Sequence, residues 1–128
     1  MKKKIIYVFG NPDLPNDSLT VKLIPKLSKK FPEIKFINTD PENLDLAQED
    51  LVIIDTVSGI NNVQVFKSLE MFEKKPKVSL HDFDLGMQLF LQQKLGKMRN
   101  LKIIGVPPNS KAGKAFGEVV KALETSLR

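Results

Sequence analysis

The sequence predicts an α/β fold in which a mainly parallel sheet carries helices on both faces. Short apolar runs that end at loop residues alternate with longer segments whose apolar residues recur at helical spacing. Most of the short runs are continuously apolar, which is typical of parallel strands buried on both sides. Because the 128 residues contain no internal repeat and no linker-like segment, we expect residues 1–128 to form one domain.

The first third of the chain predicts a strand, a loop and a helix. The strand covers residues 5–9 and ends at Gly10-Asn11-Pro12, where a polar loop begins that reaches residue 17. A helix is then predicted by one apolar face, which consists of Leu19, Leu23, Leu27 and Phe31. Because Pro25 lacks the backbone N–H that would bond the Val21 carbonyl, we expect a kink or a restart of this helix.

The remaining segments predict further strands, separated by polar or helical stretches. The predicted strands cover 34–37, 51–54, 63–66 and 101–106, with a brief extended piece at 78–80. The 63–66 strand alternates polar and apolar residues, as a half-exposed edge strand does. Helices are predicted at 84–97 and 112–127 because each segment has one apolar face. A polar stretch covers 38–50, and Ser58-Gly59 predicts a turn.

Composition and charge exclude several classes of function. There is no cysteine, which excludes disulfides, zinc–thiolate sites and thiol nucleophiles, so a metal would need Asp, Glu, Asn or the single histidine, His81. The net charge of +5 comes almost entirely from lysine, and the chain has one tyrosine and no tryptophan. We expect no nucleic-acid partner, because base stacking needs exposed aromatics and bidentate base readout favours arginine. Lacking an apolar run of ~20 residues or a signal peptide, the protein is expected to be cytoplasmic and without a membrane span.

Candidate functional residues follow the carboxyl ends of the predicted strands, where open parallel sheets bind their ligands. They are Gly10, Asn11, Asp13, Asn16 and Asp17 after the first strand, Asp55 after the 51–54 strand, and His81, Asp82 and Asp84 after the 78–80 piece. Two carboxylates and an imidazole that converge on this rim can hold a divalent transition ion. Each residue type also has a structural alternative: Asp17 can cap the next helix, Asp55 can close a turn, and a lone histidine is more often structural.

Four segments of the chain together carry a family resemblance. Gly10-Asn11-Pro12 with Leu14 and Asn16-Asp17 looks like a Gly-Asn-Pro-Leu-x-x-Asp-(Asp/Glu) loop, and residues 51–55 resemble an apolar strand that ends in Asp. Residues 79–85 fit Ser-x-His-x-x-x-Leu before a helix, and 102–108 fit a penultimate strand that reads much like Ile-Gly-Ile-x-Pro. In this order the segments resemble the nickel–iron hydrogenase maturation endopeptidases over most of the chain.

The resemblance implies a three-layer α/β/α sandwich with a mainly parallel sheet of roughly five strands and one antiparallel edge strand. It implies an endopeptidase that removes a C-terminal tail from a nickel-loaded hydrogenase large-subunit precursor, which would be its partner. Asp17, Asp55 and His81 match the family's metal-contacting positions, so the resemblance implies that they are catalytic and contact nickel. The nickel would be carried by the substrate and not held tightly by the resting protein, which we expect to be a monomer.

Two other classes of function stay open. A non-catalytic binding or scaffold protein that keeps the fold is favoured by departures from the family pattern. Val8-Phe9 stands where the family has Gly-x before Gly-Asn, and residues 38–42 replace a Gly-rich segment. A flavodoxin-like small-ligand binder would use the 10–17 loop, but that loop lacks a Ser/Thr/Gly-rich phosphate cradle. A serine hydrolase is disfavoured because no Gly-x-Ser-x-Gly elbow occurs.

Overall fold

Five strands form one sheet in the computed structural model, which describes residues 4–39, 50–66 and 100–127. They are β1 (Lys4–Phe9), β2 (Ile34–Thr39), β3 (Asp50–Thr56), β4 (Gln64–Phe66) and β5 (Asn100–Val106). Their spatial order is β2-β1-β3-β5-β4. All neighbouring pairs are parallel except β4 with β5, which confirms the predicted mainly parallel sheet and its antiparallel edge strand.

The four parallel strands end at the same edge of the sheet, here called the carboxyl edge. The register aligns Phe9 of β1 with Thr39 of β2, and Thr56 of β3 with Val106 of β5. The loops that follow these four residues therefore begin side by side. This is the edge at which the strand-end rule predicts a ligand site.

Two described helices cover one face of the sheet. Helix α1 (Leu19–Lys30) and helix α2 (Ala112–Ser126) bury one apolar face each, as their sequence periodicity predicts. The core between helices and sheet contains Leu23, Leu27, Val119 and Leu123 from the helices, and Ile6, Val8, Val52, Ile54, Ile104 and Val106 from the strands. Alternate strand residues such as Phe9, Ile53 and Ile103 point to the opposite face and are buried too. Strand residues on both faces of the sheet are thus buried, as expected for a layered α/β fold.

Helix α1 runs through Pro25 without interruption, so the expected restart is wrong. Proline removes only one hydrogen bond from the helix, the one that its own N–H would have donated. Pro25 lies on the exposed side, whereas Leu23 and Leu27 on either side of it are buried in the core. Burial of the flanking leucines outweighs the loss of that single bond.

Several predicted elements lie outside the described residues. These are the 78–80 extended piece, the 84–97 helix and the candidate residues His81, Asp82 and Asp84. The single-domain assignment likewise stays a prediction. Within the described ranges, no helix is long and apolar enough to cross a bilayer.

Candidate active site at the carboxyl edge

The loop after β1 folds back so that Asp17 lies beside the end of the strand. The backbone N–H of Asn11 donates to the Asp17 carbonyl oxygen at 2.8 Å and closes the loop. Inside it, the Asp13 N–H donates to Asn11 Oδ1 at 2.9 Å, and Pro15–Asp17 form a short 3₁₀ turn. Asp17 is partly buried, and its position at the carboxyl edge is set by backbone hydrogen bonds.

Gly10 allows this close return of the chain. A Cβ at Gly10 would overlap Thr20 Oγ1 and would lie only 2.8 Å from the Asp17 carbonyl oxygen. Thr20 is fully buried, and its hydroxyl donates to the Phe9 carbonyl oxygen at 2.7 Å. The start of α1 and the end of β1 are thereby joined directly beneath the loop that carries Asp17.

Asn38 holds the same strand end from the β2 side. Its Nδ2 donates to the carbonyl oxygens of Val8, at 2.9 Å, and Gly10, at 3.2 Å. The sequence analysis places Asn38 at the start of a polar stretch, whereas the structure includes it in β2. The only sign of this positioning role in the sequence was an asparagine directly after a predicted strand, since a side-chain amide can donate two hydrogen bonds.

The helix-capping alternative for Asp17 is not what the structure shows. Ser18 occupies the N-cap position of α1, and no side chain makes a capping hydrogen bond there. Asp17 belongs to the turn that precedes the cap. Its carboxylate is therefore placed by the loop and is not used to cap α1.

Asp55 is the penultimate residue of β3, not the first residue after it as the sequence predicts. It pairs in register with Gly105 of β5 and is 1% exposed. Its Oδ1 accepts the Thr56 backbone N–H at 2.8 Å, so the side chain does bind the adjacent backbone, as the structural alternative proposes. A carboxylate accepts several hydrogen bonds, and this one holds Oδ1 in a fixed position at the carboxyl edge.

The sheet beside Asp55 is tightly packed because its register partner has no side chain. A Cβ at Gly105 would lie 2.8 Å from Val57 Cγ2 and 2.9 Å from Phe66 Cε2. Val57 and Phe66 are both buried, and they fill the space that any other residue at 105 would occupy. Asp55 is thus bordered on this side by an apolar wall.

Two of the three predicted site residues lie at the carboxyl edge: Asp17 in the loop after β1, and Asp55 near the end of the neighbouring strand β3. His81 lies outside the described residues, so the convergence of the three side chains stays a prediction. In the ranges that the structure describes, no three His, Asp or Glu side chains come close enough together to hold a metal ion.

A cleft of about 780 Å³ opens at the carboxyl edge beyond Asp55. One wall is the loop after β3, which turns at Gly59 with φ of 86°, in the left-handed region that favours glycine. The other wall is the loop after β5 and the start of α2. The described residues that line the cleft are Ser58, Gly59, Ile60, Asn61, Pro107, Pro108, Asn109, Ser110, Lys111 and Lys114. Sequence reasoning marked Ser58-Gly59 as a turn, 102–108 as a strand segment and 112–127 as a helix, and it did not indicate a cleft.

The architecture is similar to that of several solved structures of endopeptidases. The hydrogenase maturating endopeptidase HybD from E. coli is 20% identical, with 96% of this chain and 93% of that chain covered and a TM-score of 0.59. An endopeptidase from Escherichia coli is 17% identical, with 97% and 93% covered and a TM-score of 0.60. The hydrogenase 3 maturation protease is 17% identical, with 97% and 86% covered and a TM-score of 0.53.

The chain has the fold of the hydrogenase maturation proteases. This confirms the predicted fold class, and it confirms the resemblance at the level of the fold. At 17–20% identity the likeness concerns the path of the backbone and the order of the elements. No protein-family model matches the sequence, and no curated protein matches it either.

Proposed function

We propose that this chain is an endopeptidase that removes a C-terminal tail from a nickel-loaded hydrogenase large-subunit precursor. The observation that carries the proposal is the fold shared with hydrogenase maturation proteases over nearly the whole chain, with Asp17 and Asp55 at its carboxyl edge. In this proposal Asp17, Asp55 and His81 contact the nickel that the substrate presents.

The chemistry of this donor set supports the proposal. Carboxylate oxygen and imidazole nitrogen are ligands that suit divalent transition ions, including nickel. Asp55 Oδ1 is held by the Thr56 N–H at 2.8 Å, which fixes the orientation of the carboxylate. Asp17 is partly exposed on a loop fastened to the strand end, so a protein-borne ion can reach it.

Hydrolysis of the scissile bond requires only water besides the substrate. The water oxygen attacks the carbonyl carbon, the C–N bond breaks, and the leaving amine takes a proton from that water. Nickel held between its own substrate ligands and the three protease side chains would polarise the carbonyl or lower the pKa of the attacking water. The role of Asp17, Asp55 and His81 is to fix the substrate's ion against the scissile bond.

Carboxylate-to-amide variants test this assignment. With a nickel-loaded precursor as substrate, Asp17→Asn and Asp55→Asn should each lower the cleavage rate by about a hundredfold or more, because each loses an anionic ligand. The matched control is Glu33→Gln, an exposed residue at the opposite edge of the sheet, which should cleave normally. Cleavage by Asp17→Asn at the rate of the unaltered protein would contradict the assignment.

A second candidate, a non-catalytic binding protein that keeps this fold, is favoured by one observation. Asp55 is only 1% exposed, and an ion must reach its carboxylate for the proposed chemistry. A scaffold would bind the precursor without cleaving it. Co-purification of an intact precursor with the unaltered protein, in the presence of nickel and without any cleavage, would favour this candidate.

A further inference from the structure

The cleft beyond Asp55 continues the carboxyl edge away from the proposed nickel site. Its first wall begins at Ser58, three positions after Asp55 along the chain. Its second wall begins at Pro107, directly after β5, the strand that pairs with β3. If the scissile bond of a substrate lies at Asp55, the neighbouring part of the substrate chain can therefore lie in the cleft at the same edge.

The chemistry of the lining fits an anionic peptide. Lys111 and Lys114 are exposed and belong to the start of α2, and none of the described residues that line the cleft is acidic. The side-chain amides of Asn61 and Asn109 are exposed, and each offers both a donor and an acceptor for peptide backbone groups. Ile60 and the two prolines supply apolar surface between these polar groups.

Ser110 provides a separate observation at the same place. It is a lining residue whose Oγ is shielded from water and has no hydrogen-bond partner in the described part of the chain. A buried hydroxyl without a partner is unfavourable, so rotation of the Ser110 side chain toward the cleft to donate to a carboxylate or carbonyl oxygen of a ligand would be favoured. The volume of about 780 Å³ also falls within the usual range for ligand sites.

We propose that this cleft binds the tail of the protein substrate on the leaving side of the scissile bond, with a carboxylate of that tail at Lys111 and Lys114. The proposal rests on the proposed function. The carboxylate can belong to an acidic side chain or to the chain terminus, since both present the same group to the two lysines. The cleft thereby selects an anionic tail before cleavage occurs.

Binding can be measured without any proteolysis. The probe is a hexapeptide of sequence Gly-Ala-Glu-Ala-Gly-Glu with a fluorescent label at its N-terminus, titrated with the full chain in low salt and followed by fluorescence anisotropy. A C-terminally amidated version and a version with glutamine in place of both glutamates separate the two carboxylate sources. We expect the version that lacks the recognised carboxylate to bind at least about tenfold more weakly than the parent peptide.

Charge reversal on the protein tests the lysines themselves. The double variant Lys111→Glu/Lys114→Glu should weaken binding of the parent peptide by at least about tenfold, because like charges then face each other. The control is Lys121→Glu, an exposed lysine on the same helix that is not among the lining residues, and it should change binding less than about twofold. Since all three lysines are exposed, circular dichroism should show unchanged folding.

The outcomes separate this proposal from the proposed function. Equal peptide binding by the double variant and the unaltered protein, or no binding by the unaltered protein at about 1 mM peptide, overturns the cleft proposal. Lysine-dependent peptide binding without cleavage of any nickel-loaded precursor supports the cleft and counts against the protease. If the precursor is cleaved, the double variant should raise KM with little change in kcat, and an unchanged KM would overturn the cleft proposal.

Discussion

Gly10 is the residue at which β1 ends and the loop that carries Asp17 begins. We expect Gly10→Ala to lower the free energy of unfolding by about 1–3 kcal/mol, because the new methyl group would overlap Thr20 Oγ1 and crowd the Asp17 carbonyl oxygen. The change is measured by urea denaturation. It should also displace Asp17 and reduce cleavage of the precursor more than the loss of stability alone explains.

Gly117 is the matched control for this prediction. It lies inside α2, and a Cβ there would meet no atom within 4 Å. Gly117→Ala should therefore raise stability by about 0.5–1 kcal/mol, because alanine loses less backbone freedom in a helix. The two glycine-to-alanine changes thus have opposite expected signs, and a Gly10→Ala variant as stable as Gly117→Ala would contradict the account of the loop.

Asn38 contributes two hydrogen bonds to the same strand end. Removing them in Asn38→Ala should lower the free energy of unfolding by about 0.5–1.5 kcal/mol, since Val8 and Gly10 lose a donor that water only partly replaces. Asn62, an exposed asparagine before β4, serves as control, and its alanine variant should change stability by less than about 0.5 kcal/mol. Equal effects at the two asparagines would show that the Asn38 bonds do not hold the loop.

The sequence placed two candidate acidic residues at the carboxyl edge but did not reveal the residues that position them. Asp17 lies in the polar loop after the first apolar run, and Asp55 directly follows the 51–54 run, which is why both were candidates. Thr20 and Asn38 were missed because their hydrogen bonds reach backbone atoms of another element, 11 and 30 positions away. Such contacts exist only once the strands have paired, so no local pattern encodes them.

The side chain of Thr20 connects two elements, helix α1 and strand β1. In Thr20→Val the shape is nearly kept but the hydroxyl that donates to the Phe9 carbonyl is lost. Because the site is fully buried, we expect the free energy of unfolding to fall by about 1–3 kcal/mol in urea denaturation. Thr20→Ser keeps the hydroxyl and should retain part of that stability, and a serine variant less stable than the valine variant would contradict this role.

Element types were predicted better than element ends. The continuous apolar runs gave β1, β3 and β5, and the alternating run gave the edge strand β4. β3 continues through Asp55 and Thr56 because both pair with β5, which a hydrophobic pattern does not reveal. Helix α1 continues through Pro25 for a similar reason. Proline by itself disfavours a helix, but the burial of the flanking leucines in the core, which a local pattern does not show, outweighs that preference.

Across the whole sheet, parallel pairing brings the ends of β1, β2, β3 and β5 to one edge. The strand-end rule predicted that edge from the sequence, but the spatial order β2-β1-β3-β5-β4 depends on which strands pair and was not predicted. The cleft was missed for the same reason. Its two walls come from loops about fifty positions apart, which meet only because β3 and β5 are neighbours.

In the proposed reaction the substrate, and not the resting protein, supplies the metal. We expect a site of two carboxylates and one imidazole, without a cysteine, to hold nickel or zinc only loosely when no substrate is present, so the purified protein should contain little of either metal by elemental analysis. The decisive experiment is a gel-shift assay for loss of the C-terminal tail. This protein is incubated separately with a nickel-loaded and with a metal-free hydrogenase large-subunit precursor. We expect cleavage of the nickel-loaded precursor only. Stoichiometric zinc in the resting protein together with cleavage of the metal-free precursor would contradict this expectation.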